Sequence, residues 1–150
     1  MRDTYDTVQA ELTMEFLITP DLTLCIPVGL RYDGDDPYAM QITFHLPGDA
    51  PVSWTFARDL LLDGLSRTVG EGDVRVGPAG LGNLTEVLLT LQVGGERARF
   101  RAQTEPLVAF LDRTDQLVPF GDEHLAHDPA AALEAELARI LAEAEDRYAG

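Results

Sequence analysis

Three aspartates crowd around one glycine in the stretch GLRYDGDDPYAM, residues 29–40, namely Asp33, Asp35 and Asp36. Carboxylates this close together could hold a calcium ion or act as a general acid and base. An EF-hand loop that began at Asp33 would need glycine at its sixth position and glutamate at its twelfth. Those positions are Tyr38 and Phe44. Because turns between strands are rich in aspartate and glycine, the stretch is interpreted as a turn whose acids could face a partner.

The stretch DEHLAHD offers a second constellation, His124, His127 and Asp128. Two imidazoles and a carboxylate could bind zinc, so a metal-dependent enzyme is one hypothesis for the chain. The spacing His-x-x-His in a loop is a weak signal, however, and Asp128 is well placed to cap the helix that follows it. The pattern favours surface residues ahead of a helix over a metal site.

Nucleophiles and phosphate loops are not found in a catalytic setting. Ser53 and Ser66 do not lie in a Gly-x-Ser-x-Gly elbow. Cys25 stands in an apolar strand, where a small inert thiol is expected. The glycine-rich stretch GEGDVRVG is not Gly-x-Gly-x-x-Gly and opens no predicted helix. The sequence therefore predicts a protein that is not an enzyme and that uses neither a cofactor nor a metal.

The one basic stripe of the sequence consists of Arg97, Arg99 and Arg101, which alternate along one predicted strand and so share one face. Such a face could bind single-stranded nucleic acid or an acidic protein tail. It could also pair across strands with acids such as Glu11 or Glu15. The acidic excess of the chain favours pairing, and single-stranded nucleic-acid binding is the alternative function.

The charge balance limits the choice of partners. The 150 residues carry a formal net charge of -15, which repels phosphate backbones and anionic membrane surfaces. Neither nucleic acid nor a membrane is therefore predicted as a partner. The single Cys25 cannot form an internal disulfide, and the N-terminus lacks the apolar core of a signal peptide. No apolar run approaches the roughly 18 residues of a membrane span, so a soluble cytoplasmic protein is predicted.

Strands predominate in the first half of the chain, because apolar residues recur there at alternate positions. Strands are predicted at 8–18, 22–32, 38–46, 52–56, 73–76, 85–93 and 96–103. Pro27 has no amide hydrogen, so its strand is predicted to lie at a sheet edge or to bulge there. Tyr38 and Trp54 alternate with core positions and are predicted to pack first and to serve an interface second.

Helical spacing follows the strands in three places. Helices are predicted at 56–65, 104–116 and 128–148. In the second helix Thr104 is the predicted N-cap, and its buried stripe is Leu107, Phe110 and Leu111. Residues 117–127 are a predicted hinge before the last helix. The fold class is α+β, with a mostly antiparallel, barrel-like sheet of about seven strands and about three helices in a single domain, residues 1–150.

Four ordered motifs resemble those of the SsgA-like proteins of actinobacteria, which regulate sporulation and cell division. These motifs are GLRYDGDDPYAMQITFH, WTFARDLLLDGL, GDVRVGP and FLDRTDQLVPFGDEH. The resemblance spans the chain from the second strand to the start of the last helix, and the arginine-only composition suits a high-GC genome. One departure is Gly77, where relatives often carry tryptophan.

The resemblance implies a non-enzymatic regulator of sporulation-specific cell division, located in the cytoplasm at the septum. It would bind the tubulin-like division GTPase FtsZ, other SsgA-like proteins, or both, to promote septum assembly or septal wall synthesis. It implies a whirly-like fold and a homo-oligomer, with a trimer expected and the helix near 128–148 as an assembly element.

Contacts with such partners are assigned from strand alternation to the side chains that are expected to face solvent. These protein-interaction candidates are Arg31, Asp33, Asp35, Arg58 and Asp59.

Overall fold

The structure is a computed structural model that describes residues 6–80, 83–124 and 137–144. Its strands are β1 Thr7–Thr19, β2 Leu22–Asp33, β3 Ala39–Phe44, β4 Val52–Ala57, β5 Val69–Glu71, β6 Val74–Gly80, β7 Asn83–Val93 and β8 Glu96–Gln103. Its helices are α1 Arg58–Gly64 and α2 Thr104–Leu117, and residues 137–144 are also helical.

All strands of the described part form one antiparallel sheet in the order β4-β3-β2-β1-β8-β7-β6-β5. The sheet therefore consists of two four-stranded meanders whose first and last strands, β1 and β8, pair with each other. The predicted α+β class and barrel-like antiparallel sheet are confirmed. The count is eight strands rather than about seven, because the three-residue β5 is too short to show an alternating pattern.

The β1–β2 hairpin follows the alternation of its sequence. Val8 and Met14 of β1 are buried, as are the apolar even residues of β2 from Ile26 to Tyr32. The prediction of an edge strand or a bulge at Pro27 is wrong, since β2 lies between β1 and β3 and Pro27 pairs with Thr13 without a register shift. The Pro27 carbonyl accepts a hydrogen bond from the His45 amide at 3.0 Å, just beyond the end of β3. The Pro27 nitrogen, which carries no hydrogen, points toward β3 just beyond the end of the β2–β3 ladder, so no ladder hydrogen bond is lost there. Cys25, on the opposite register, is exposed.

The helices cover one face of the sheet. α1 packs on β5 and β6, and α2 packs on β1 and β7. The predicted stripe of α2, Leu107, Phe110 and Leu111, is buried in the core. The predicted cap at Thr104 is wrong: Thr104 is the first helical residue, and Gln103 precedes it without a side-chain capping bond.

Gly77 lies at a close approach of two backbone segments. A Cβ atom at Gly77 would meet the Thr68 side chain and would lie 2.8 Å from the Thr68 Cα atom. Real Cβ atoms do not approach backbone this closely, so the two segments pack at a distance that only glycine allows. A tryptophan at this position would require another path for the chain between α1 and β5.

The C-terminal part of the chain is described only at residues 137–144, which are helical within the predicted helix 128–148. The remainder of that helix, including Leu133 and its Asp128 cap, lies outside the described residues. Leu137, Ile140 and Leu141, which share one helical face, are 50%, 50% and 64% exposed. Within the described ranges, every helix is too short or too polar to cross a lipid bilayer.

Candidate protein-interaction surface

The acidic stretch after β2 is a tight turn, as the sequence predicts. The Asp33 carboxylate accepts a hydrogen bond from the Asp35 amide at 2.9 Å, and the Asp33 carbonyl accepts one from the Asp36 amide at 2.9 Å. This local bonding is the usual reason for aspartate in turns. Asp35 and Asp36 are exposed, and Asp33 is half-buried and lies 3.9 Å from the Arg31 guanidinium.

Two further bonds hold this turn on the body of the protein. The Tyr32 hydroxyl, which is fully buried, donates to the Pro37 carbonyl at 2.8 Å. The Gly34 amide donates to the Asp6 carbonyl at 2.7 Å. Burial raises the pKa of Tyr32 to about 12, against the lowering effect of Arg58 and with smaller contributions from Glu123, Asp36 and Asp59. These two hydrogen bonds therefore fix the backbone of the turn relative to β1 and β2.

Replacing Tyr32 by phenylalanine is expected to cost about 1–2 kcal/mol at pH 7, because the buried Pro37 carbonyl loses its donor. Above pH 10.0 the unfolded chain ionises its tyrosine while the folded protein keeps Tyr32 protonated up to about 12. Wild-type stability should therefore fall as the pH rises through this window, and the fall should shrink in Tyr32→Phe. Urea unfolding at neutral pH and at about pH 11 measures both effects.

Tyr38→Phe is the matched control, since the Tyr38 side chain is 52% exposed. Its free energy of unfolding should change by less than about 0.5 kcal/mol. Equal costs at the two tyrosines would show that the Tyr32–Pro37 bond does not stabilise the turn.

Arg58 is a correction to the predicted surface. It was expected to face solvent, but its side chain is 0% exposed. Its Nη1 donates to the carbonyl oxygens of Thr114 and Val118 at 3.2 and 2.7 Å, and its Nη2 donates to Glu123 Oε1 at 2.8 Å. A charged group is buried only when it is paired, and the partner here lies 65 residues away in sequence. Arg58 thus ties α1 to the end of α2 and to the segment after it.

Aromatic rings complete the environment of Arg58. Its guanidinium carbon lies 4.7 Å from the centre of the Tyr32 ring and 4.4 Å from that of Phe120, both within cation–π range. The Phe120 amide in turn donates to Asp115 Oδ1 at 2.9 Å. The predicted hinge at 117–127 is therefore anchored over its described residues, which end at His124.

The two carboxylates near Arg58 differ in their electrostatics. Burial raises the pKa of Glu123, but the hydrogen bond from Arg58, the backbone amides of Glu123 and Gly121, and the Arg58 charge together hold it below its ordinary value. For Asp59, partial burial and then the Glu123 charge raise the pKa, and Arg58 only partly offsets this. Asp59 is exposed, in the first turn of α1. It therefore carries a carboxylate that a cationic partner would stabilise.

The first residues of α1 lie beside the acidic turn, because the Arg58 amide donates to the Tyr38 carbonyl at 2.8 Å. Tyr38 itself was predicted to pack in the core, and this is wrong: β3 begins at Ala39, so the side chain leaves the strand register and is 52% exposed. Trp54, by contrast, packs against the core. We name the acidic surface by its residues: Asp33, Asp35, Asp36, Tyr38 and Asp59.

The structure thus brings three of the five predicted candidates, Asp33, Asp35 and Asp59, to one region. Arg31 is exposed on β2 and borders this region through Asp33. Sequence reasoning missed Tyr32 and Glu123 as the residues that hold the region together. The alternation of β2 indicates burial of Tyr32, but no local pattern marks Glu123 as the partner of Arg58.

The other candidate constellations are less well defined. Among the described residues, no group of three His, Cys, Asp or Glu side chains is arranged to hold a metal ion. His124 is exposed, and its proposed co-ligands His127 and Asp128 lie outside the described residues. The three arginines of the basic stripe have different surroundings. Arg101 donates to Glu15 at 2.8 Å and lies 3.6 Å from Glu86. The predicted cross-strand pairing is therefore confirmed at Arg101.

Comparison with protein families places the chain among known sequences. Residues 26–123 match the family described as Streptomyces sporulation and cell division protein, SsgA. A relative named sporulation-specific cell division protein SsgB, from Streptomyces coelicolor, is 43% identical over 91% of this chain and 97% of its own length. The protein of the same name from Thermobifida fusca is 40% identical over 77% of this chain and 84% of its own length.

Solved structures that resemble this chain come from the same family as the sequence relatives. A structure of SsgB, from work that correlates SsgB mutations with longitudinal cell division during sporulation of Streptomyces coelicolor, superposes with a TM-score of 0.74 at 42% identity. It covers 80% of this chain and 94% of the other. The SsgA-like sporulation-specific cell division protein from Thermobifida fusca gives 0.77 at 37% identity, over 91% and 99% of the two chains. The chain belongs to the SsgA family of sporulation and cell division proteins.

Proposed function

We propose that the chain is a non-enzymatic regulator of sporulation-specific cell division that acts in the cytoplasm at the septum by binding division proteins. The names of its relatives support the process. The observation that supports the mode of action is the acidic surface, in which the half-buried Asp33 and the exposed Asp35, Asp36 and Asp59 lie near the exposed Tyr38. The partners are the tubulin-like division GTPase FtsZ, other SsgA-like proteins, or both.

The composition of the acidic surface suits protein binding. Tyrosine is enriched among the residues that dominate binding energy, and it contributes most when a rim of polar groups surrounds it. Here Tyr38 is the apolar centre, and the four aspartates are the rim. The turn is fixed by the Tyr32 and Gly34 hydrogen bonds, so little conformational entropy is lost when a partner binds. The aspartates favour a partner that presents arginine or lysine.

Co-sedimentation with polymers of the division GTPase tests this proposal. Wild-type protein should pellet with the polymers at low salt and less at high salt, because the rim contacts are ionic. Tyr38→Ala should weaken the association about tenfold, which corresponds to about 1.4 kcal/mol. Leu22→Ala is the matched control, since Leu22 is 53% exposed at the opposite end of β2. Absence of wild-type protein from the pellet at every salt concentration would contradict direct binding of this partner.

Assembly into a homotrimer is the second part of the proposal, with the C-terminal helix as the assembly element. Its support is the apolar face at Leu137, Ile140 and Leu141, which remains exposed on one chain. Exposed apolar helix faces are typical of surfaces that pack on another helix. A second copy of the chain offers the same face.

Leu141→Asp is expected to shift the protein from oligomer to monomer, because it places a charge in that apolar face. Ala142→Asp adds the same charge to the next residue, which points away from the Leu137–Leu141 face, and should leave the oligomer intact. Sedimentation velocity measures both variants. An oligomer that survives Leu141→Asp, or a monomeric wild-type chain, would contradict this role of the helix.

A further inference from the structure

The sheet carries a second exposed charged region that the acidic surface does not include. Three arginines of β6 and β8, Arg75, Arg97 and Arg99, are exposed on the face opposite the buried residues Val74, Val76 and Phe100. The strand register brings them together: Arg75 faces Thr90 of β7, and Thr90 faces Arg99. We name this region the arginine face, defined by Arg75, Arg97 and Arg99.

The arginine face is concave and hydrogen-bonding. It lines a depression of 540 Å³ together with Thr90, Gln92 and Asp73 among others. Gln92 faces Arg97 across the β7–β8 ladder, just as Thr90 faces Arg99. In the strand register Thr90 therefore lies between Arg75 and Arg99, and Gln92 lies beside Arg97. Their hydroxyl and amide groups can bond to the backbone or side chains of a bound chain.

The arginines of this face differ from their neighbour on the same strand. Arg101 is neutralised by Glu15 and Glu86, and the hydrogen bond to Glu15 and the charges of both acids raise its pKa. In the part of the chain that the structure describes, none of Arg75, Arg97 and Arg99 forms an ion pair. A chain with a net charge of -15 has abundant carboxylates for pairing. Three unpaired arginines in one depression are therefore a site of local positive potential that is open to an external anion.

The chemistry of the lining discriminates between the anions that could bind. Single-stranded nucleic acid is bound by aromatic side chains that stack on the bases as well as by cations, and among the described residues none that lines the depression is aromatic. Asp73 lies in the lining, and the net charge of the chain further opposes a continuous phosphate backbone. Carboxylates, which arginine binds in a bidentate manner, need no aromatic stacking partner, and a short segment with separate carboxylates brings fewer negative charges past Asp73 than a continuous phosphate backbone.

The spacing of the arginines indicates the shape of the ligand. Arg97 and Arg99 stand two residues apart on β8, about 7 Å, which is also the distance between alternate side chains of an extended peptide. Arg75 lies two strands from Arg99, about 10 Å across the sheet. An extended segment with acids at alternate positions can therefore place one carboxylate on each of Arg97 and Arg99, with Arg75 available to a third.

We propose that the arginine face binds an extended acidic segment of a partner protein, through carboxylates at alternate positions. This inference rests on the proposed function, since it assigns part of the binding of division proteins to a second surface of opposite charge. The acidic surface and the arginine face would then select different chemistry on the same or on different partners.

Fluorescence anisotropy with a labelled extended peptide that carries aspartate at every second position tests the arginine face. Wild-type protein should bind this peptide at low salt, and binding should fall as salt rises. The double variant Arg97→Glu/Arg99→Glu should bind at least about tenfold more weakly, because two attractive pairs become repulsive. Arg67→Glu is the matched control: the Arg67 side chain is 71% exposed in the connection after α1, and its guanidinium lies 3.8 Å from Asp63. It should bind like wild type.

Each of the following outcomes would overturn the inference. The double variant could bind like wild type, Arg67→Glu could weaken binding equally, or a labelled oligothymidylate could bind more tightly than the peptide, which would assign the face to nucleic acid. Urea unfolding verifies that the double variant is folded.

The same variants in co-sedimentation separate the two proposals. If wild-type protein does not pellet with the polymers but still binds the peptide, the proposed partner alone is contradicted. If no protein binds the peptide and the double variant pellets like wild type, the arginine face alone is contradicted.

Discussion

Replacing Arg58 by methionine is expected to lower the free energy of unfolding by about 3–5 kcal/mol, the usual cost of leaving one member of a buried ion pair alone. Glu123, at 7% side-chain exposure, would lose the guanidinium that compensates its charge. The carbonyl oxygens of Thr114 and Val118 would lose a donor at the end of α2. Urea unfolding followed by Trp54 fluorescence measures the loss.

Two further variants isolate the buried pair. Arg58→Met combined with Glu123→Leu removes both charges, and apolar replacement of both partners is often neutral. The double variant should therefore recover most of the stability lost in Arg58→Met. Arg67→Ala, at the exposed pair with Asp63, should cost less than about 0.5 kcal/mol. If Arg58→Met cost no more than Arg67→Ala, the buried pair would not hold the segment after α2 in place.

The pH dependence of the same pair has a definite sign. The pKa of Glu123 lies below its ordinary value of 4.5 in the folded protein. Its contribution is therefore present above about pH 4.5 and is lost as the pH falls through the lower, folded pKa. Glu123→Gln should flatten this acid limb of the stability profile. An unchanged acid limb in Glu123→Gln would show that other carboxylates produce it.

Alternation predicted the first four strands almost to the residue, because one face of each is buried and the other meets solvent. The register of β2 with β1, for example, pairs Val8 with Tyr32 and Met14 with Ile26, all core residues. Where the pattern is local, the sequence is sufficient. The three-residue β5 has too few positions for a pattern, and the closure of β1 on β8 joins residues about eighty positions apart.

The interaction surface was only partly predictable, because its key contact is not local. Arg58 lies two residues after the buried Phe56, as the first residue of α1, yet a charged side chain is ordinarily assigned to the surface. Only the structure reveals Glu123, Tyr32 and Phe120 around it. The predicted burial of Tyr38 is wrong for the opposite reason. Tyr38 continues the even register of β3 in sequence, but the strand begins one residue later. Exposure at strand ends depends on where pairing stops, which a single sequence does not specify.

Phe100→Ala is expected to cost about 3–5 kcal/mol, because a buried phenylalanine is replaced by a cavity. Phe100 is 3% exposed, and its ring stacks on Phe44 at 4.2 Å and on Phe16 at 4.8 Å between ring centres. These three rings join the two meanders of the sheet. Within the described residues, β1 and β8 pair at Glu15–Arg101 and Phe16–Phe100, whereas β1 and β2 pair along nearly their whole length.

Because the aromatic stack lies between the two meanders, Phe100→Ala should also reduce the cooperativity of unfolding. Few ladder hydrogen bonds connect the meanders, so the aromatic stack, together with α2, which packs on both β1 and β7, holds them together. Phe100→Ala should therefore let them unfold less cooperatively, with a lower urea m-value. Phe100→Leu keeps most of the volume and should cost less than about 1.5 kcal/mol. Arg101→Ala removes the half-exposed pair with Glu15 beside the stack and should cost about 1 kcal/mol or less. A Phe100→Ala protein that unfolds with the wild-type m-value and within about 1 kcal/mol of wild type would show that the ladder, not the aromatic stack, closes the sheet.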